Sequence, residues 1–150
     1  MKILALVLLL TLTYVYAGND PQVLTPHNSD DILDHLQGNN YNIYLLFFSA
    51  SGPYEEIAIR NNKDVESGLN KILLDNPEIF YATIPHTNPN FNKLIQTTGI
   101  HAAPSVFLMV HGKGVWIYEG TSDLIVEKVR DFLPKFKEAS AKHVDPYEAK

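Results

Sequence analysis

Apolar positions along this chain fall into two rhythms. Tyr41 to Ser49 reads Y-N-I-Y-L-L-F-F-S, a near-continuous apolar run of strand-forming residues. A run of that kind fits a strand buried on both faces. Ile79–Ile84, Ser105–Val110 and Val115–Tyr118 are shorter runs of the same type. Between them the apolar residues take helical spacing. Ile32, Leu33 and Leu36 make one stripe, and Ile57, Val65, Leu69, Ile72 and Leu73 a second, interrupted around Asn61-Asn62. Phe91, Leu94 and Ile95 make a third, and Ile125, Val129, Phe132, Leu133 and Phe136 a fourth.

Turn and cap residues punctuate these segments. Val23-Leu24-Thr25 predicts a short edge strand, the only setting in which Pro26 is tolerated. Ser29 is placed to cap the first helix, Asp30 and Asp31 suit its positive end, and Gly38 ends it. Pro53 is placed to open the second helix ahead of Glu55 and Glu56, and Pro77 to stop it. Asn88-Pro89 starts the third and Gly99 ends it. His111-Gly112-Lys113-Gly114 signals a hairpin. Ser122 is placed to cap the last helix, and Pro134 predicts a kink or an end there. Residues 137–150 read as a polar, solvated C-terminal tail. The predicted order is β-α-β-α-β-α-β-β-α: an α/β fold, with a mixed β-sheet flanked by helices on both faces.

The N-terminus reads as an address rather than as part of this fold. Lys2 precedes an apolar stretch from Ile3 to Ala17, with small residues at Val15 and Ala17. That is the pattern of a secretory signal cut before Gly18. The stretch is shorter than the ~20 residues of a spanning helix. A retained membrane anchor through Ile3 to Ala17 is the competing expectation. The expected organisation is thus a leader at 1–17, one domain at 18–136 and the tail at 137–150, within the secretory pathway (ER lumen or secreted) or membrane-anchored. No Asn-x-Ser/Thr sequon occurs, and the final four residues are not a retention signal.

Composition removes several chemistries. The 150 residues carry a formal net charge of −5 and no basic run, so nucleic acid is a poor partner. There is no cysteine, which excludes disulfides, thiolate metal sites and cysteine nucleophiles. The six histidines lack metal spacing, and no Asp-x-Asp-x-Asp loop is present to hold calcium. No metal site and no cofactor are expected.

Three stretches, in order, carry a resemblance. They are Phe47-Phe48-Ser49-Ala50-Ser51-Gly52-Pro53-Tyr54, Gly99-Ile100-His101-Ala102-Ala103-Pro104-Ser105, and Gly112-Lys113-Gly114 followed by Tyr118-Glu119-Gly120. Together they resemble the thioredoxin family, over roughly Val23 to Phe136. The first is similar to that family's active-site turn, aromatic-Ala-Pro-Trp-Cys-Gly-Pro-Cys. The second resembles the segment holding its cis-proline, and the third its hairpin and following glycine. The resemblance implies a thioredoxin fold with a cis bond before Pro104.

The departures from the family bear on function. Ser51 and Tyr54 stand where the two cysteines belong, and Leu45 stands where the family's buried carboxylate assists proton transfer. Thiol–disulfide exchange needs a thiolate and a mixed disulfide, and neither residue supplies one. The resemblance is therefore to a redox-inactive, non-enzymatic domain with a degenerate turn at Ser51, Gly52, Pro53 and Tyr54. Family members pair an extended peptide beside the cis-proline, which requires no thiol. Phe47, Phe48, Tyr54, His101, Ala102, Ala103 and Pro104 are the candidate peptide-binding residues, with Phe47 and Phe48 equally suited to the core. The expected partner is a protein or extended peptide bound by a chaperone-like or adaptor module. The alternative is a membrane-anchored accessory subunit of a larger complex. Residual hydrolysis by Ser51 with His101 as base lacks a Gly-x-Ser-x-Gly turn. A transferase using a Ser or Tyr hydroxyl would require a second helical domain. Oligomeric state is open.

Overall fold

The computed structural model describes residues 21–118 and 120–148. The leader expected at 1–17 lies outside them, as does Glu119. No described helix is long and apolar enough to cross a membrane.

The element order is β1 (Gln22–Val23), α1 (Ser29–Leu36), β2 (Ile43–Ser49), α2 (Glu56–Asp75), β3 (Phe80–Pro85), a 3-10 turn (Pro89–Phe91), α3 (Asn92–Thr98), β4 (Ser105–Val110), β5 (Lys113–Ile117) and α4 (Ser122–Lys142). The sheet runs β1-β3-β2-β4-β5. β1 and β2 are parallel to β3, whereas β4 is antiparallel to both β2 and β5. β2 lies at the centre, which explains why its sequence is apolar without alternation. Its odd-numbered residues Ile43, Leu45 and Phe47 pack with Val65, Leu69 and Ile72 of α2 and Ile125, Val129 and Phe136 of α4. Its even-numbered residues Tyr44, Leu46 and Phe48 pack with Ile32 and Leu36 of α1 and Leu94 of α3. The expected mixed sheet with helices on both faces is the observed one.

Several boundaries differ from the sequence expectation. Asn28 and Thr121, not Ser29 and Ser122, are the N-caps of α1 and α4. Each serine is instead the buried first helical residue. Ser29 Oγ donates to Asn90 O (3.1 Å) and accepts from Leu94 N (2.9 Å), stitching α1 to α3. α1 ends at Leu36, before Gly38. α2 starts at Glu56 rather than at Pro53, and runs unbroken through Asn61-Asn62. Ile57, expected on its buried stripe, is 67% exposed. Pro134 neither ends nor divides α4. The segment expected as a solvated tail is helical to Lys142 and then packs back. Ala139 is buried, Val144 packs against the core, and Tyr147 Oη donates to Gly114 O at 2.7 Å. The hairpin turn has two residues, His111 and Gly112, at φ 48° and 77°. Positive φ at both positions matches the right-handed twist of the flanking strands.

Candidate functional site

Parallel pairing of β2 with β3 brings their carboxyl ends together, with Phe48 opposite Ile84 and Ser49 opposite Pro85. Antiparallel pairing sets Phe48 opposite Ser105, so Pro104 enters the sheet beside the end of β2. Three segments therefore meet at one end of the sheet: the turn 51–55, the loop 86–88 and the loop 99–104. The Ala103–Pro104 peptide bond is cis, as the resemblance implied.

The turn is not a helix terminus. Gly52 takes φ 66°, a left-handed conformation that glycine adopts without strain. The first helical residue follows only at Glu56. Ser51 accordingly caps nothing. Its hydroxyl lies 2.7 Å from Thr87 Oγ1, and Thr87 Oγ1 donates to Ser51 O at 3.2 Å. The single threonine proton is committed to that carbonyl, so Ser51 Oγ is the donor of the shorter bond.

Tyr54 is held from the same loop. Its phenolic oxygen lies 2.6 Å from His86 Nδ1, and His86 Nε2 lies 3.1 Å from Ile100 O. A carbonyl only accepts, so Nε2 donates to Ile100 O, and in that tautomer Nδ1 accepts from the Tyr54 hydroxyl. His86 thereby bridges the turn to the loop that carries Pro104. Partial burial pushes the Tyr54 phenol above its ordinary value. That is the wrong direction for a phenolate nucleophile or thiolate-stabilising group.

From behind, Asn62 of α2 braces the turn. Its Oδ1 accepts from Ala50 N at 2.9 Å and its Nδ2 donates to Ala50 O at 2.7 Å. This two-way amide bond satisfies both backbone groups of a buried residue.

The structure divides the predicted site residues. Ser51, Gly52, Pro53 and Tyr54 form the turn and stay at least partly accessible, as do His101, Ala102 and Pro104. Phe47 and Phe48 are 1% and 0% exposed and form no rim. The central position of β2 buries both of its faces. Ala103 is also buried. His101 does not serve Ser51. Its ring packs edge-on against Trp116 (4.6 Å) and Tyr118 (5.7 Å), and those two rings stack at 4.0 Å. Ser51 thus has a threonine rather than a base as its partner, and the serine-hydrolase arrangement is not formed. Among the described residues no three His, Asp or Glu side chains converge as metal ligands.

Asn62, His86 and Thr87 were not singled out from sequence. The break in the α2 stripe at Asn61-Asn62 was the signal for the first. The position of His86-Thr87, just past a strand parallel to β2, was the signal for the others.

Comparison with known proteins bears on the fold. No protein-family model matches the chain, and no curated protein matches it in sequence. Solved structures do match. The thioredoxin of Trypanosoma brucei brucei superimposes with a TM-score of 0.56 at 15% identity, over 76% of this chain and 93% of that one. Thioredoxin f2 of Chlamydomonas reinhardtii gives 0.56 at 13% identity, over 76% and 97%. The Schistosoma mansoni thioredoxin gives 0.55 at 17%, over 78% and 98%. The chain has a thioredoxin-like fold. It has that fold without a cysteine, so the redox-active site of a thioredoxin is absent. Likeness at this level of identity extends to the fold and no further.

Proposed function

We propose that this thioredoxin-like chain is a non-catalytic protein-binding module of the secretory pathway, chaperone-like or adaptor in role, taking an extended peptide beside Pro104. The observation that carries the reading is the loop 100–104. Its backbone is held at Ile100 O by His86, while His101, Ala102 and Pro104 remain accessible next to a turn with no cysteine. Rigid backbone at an accessible loop lowers the ordering cost of strand addition. The aromatic surface of His101 and Tyr118 supplies an apolar contact alongside.

A photo-crosslinking residue placed at Ala102 tests this, with one at Lys63 on the exposed side of α2 as the control. Expressed in the protein's own cells, the Ala102 probe captures extended segments of other proteins and the Lys63 probe does not. Ala102→Arg abolishes capture by a probe at His101. Equal labelling from both probes would sink the reading. Intact mass on the same protein separates the soluble module, beginning at Gly18, from an anchored accessory subunit, beginning at Met1 with fixed stoichiometric partners.

A further inference from the structure

The sheet has two open edges, β1 and β5. An unpaired edge is a template for any extended segment, and folded proteins shorten, charge or cover theirs. β1 is short, two residues with Pro26 close behind it. β5 is longer, five residues with a single charge, Lys113, and no proline. Val110 and Lys113 close the two-residue turn and lie directly opposite one another, so they form a hydrogen-bonded pair. Alternation makes Leu108–Val115 and Val106–Ile117 the other bonded pairs. Gly114 and Trp116 are then the two residues of β5 that aim their N–H and C=O groups outward.

The C-terminal segment reaches this edge. α4 ends at His143, whose left-handed backbone (φ 55°) turns the chain and whose ring stacks on Tyr41 at 4.8 Å. Val144 then packs against the core, and Pro146 is buried. Asp145 Oδ1 accepts from Tyr147 N at 2.8 Å, a side-chain-to-backbone turn of the kind that Asp favours. Tyr147 meets the sheet from there, and its hydroxyl donates to Gly114 O at 2.7 Å. Phe136 holds the Tyr147 ring edge-on at 6.4 Å, and Lys135 Nζ lies 4.4 Å from its centre. Burial, with Asp145 adding to it, pushes the phenol above its ordinary value. The group is therefore the protonated donor throughout the neutral range. Among the described residues, no backbone partner outside the sheet meets Trp116.

We propose that residues 143–148 are a strap that closes the β5 edge to strand addition. Tyr147 occupies the Gly114 carbonyl, and an incoming segment is left with the outward groups of Trp116 alone. The bonds of one residue do not offset the entropy of ordering a strand. Lifting Tyr147 exposes both outward residues together, and β5 then accepts a strand.

Sedimentation velocity over a concentration series, on the full chain purified from its own cells and on variants made there, tests this. The natural chain is the least associated of the set. Tyr147→Phe keeps the ring and loses only the bond to Gly114 O, and it shifts association to lower concentration roughly three- to tenfold. Tyr147→Ala removes the ring as well and shifts association further. Urea denaturation checks that both variants are folded, and Tyr147→Phe carries the test should Tyr147→Ala not fold. Adding Tyr118→Pro to either variant removes the outward N–H that follows Trp116 and reverses the gain. Association caused by unfolding would not be reversed by a proline at the edge. Equal association of the natural chain and the Tyr147 variants overturns the proposal. So does association that Tyr118→Pro leaves unchanged, which would run through another surface.

Discussion

The phenolic oxygen of Tyr54 lies 2.6 Å from Nδ1 of His86. This bond holds the turn 51–55 to the loop 86–88. Because His86 also donates to Ile100 O, one imidazole joins the turn to the loop of Pro104. Tyr54→Phe removes one partly accessible hydrogen bond and should cost about 1 kcal/mol. His86→Ala removes both bonds and the edge contact with Phe48, and should cost about 2 kcal/mol. Urea denaturation of the two single variants and the double variant measures the coupling, expected at about 0.5–1 kcal/mol. Strict additivity would mean that the bond does not hold the turn.

Asn62 gives the sharper stability test. Ala50 is 3% exposed, and both its backbone groups are satisfied by one side-chain amide. Asn62→Ala leaves a buried donor and a buried acceptor unpaired, at about 1–3 kcal/mol each if water cannot enter. Ser51→Ala removes only the accessible bond to Thr87 and should cost about 1 kcal/mol or less. Asn62→Ala is therefore the more damaging of the two, by urea midpoint. The reverse order would show that α2 does not brace the turn.

Burial of Tyr81 should make the fold less stable in alkali. Its phenol is pushed above the ordinary 10.0 chiefly by burial, with Glu66 adding to the rise and the Thr83 hydrogen bond opposing it. A group whose pKa is higher in the folded state contributes stability fully below its unfolded value, and loses it as pH rises through the folded one. Tyr54 and Tyr147 shift the same way but are more accessible, so their contributions are smaller. Stability should thus be insensitive to these tyrosines at neutral pH and fall once pH passes about 10. Tyr81→Phe, which cannot ionise, should flatten that fall. An identical alkaline slope in Tyr81→Phe would assign the fall to another group.

Strong, periodic signals carried the fold, and local competition hid its edges. The apolar run of β2 fitted a strand buried on both faces, and the helical stripes on either side of it supplied the order of elements. Asn28-Ser29 and Thr121-Ser122 each offer two adjacent residues able to cap, and in both pairs the first does so. The choice follows from burial of the serine, a tertiary fact. Pro134 is accommodated because Leu133, Phe136 and Ala139 are buried around it, outweighing the hydrogen bond that proline omits. At the candidate site the turn and the cis bond were readable from sequence. The bonds to His86, Thr87 and Asn62 span 12 to 36 positions and were not. Phe47 and Phe48 show the ambiguity of aromatics beside a turn: the sheet order alone decides that they are core.

Cysteines introduced at positions 51 and 54 should not confer thiol–disulfide chemistry. In Ser51→Cys/Tyr54→Cys the first thiol would sit five residues before the start of α2, behind a glycine at φ 66°. The positive end of a helix acts over only its first turn. Glu55 and Glu56 follow closely, and a negative charge nearby disfavours a thiolate. Leu45, fully buried, supplies no carboxylate to move a proton. The thiol at position 51 should therefore titrate at or above the ordinary value of about 8.5, where reactive cysteines fall well below it. Iodoacetamide alkylation followed against pH reads this directly, and insulin reduction should stay at background. A half-maximal alkylation rate near neutral pH would show that the fold itself, rather than the local turn, activates a thiol at this position.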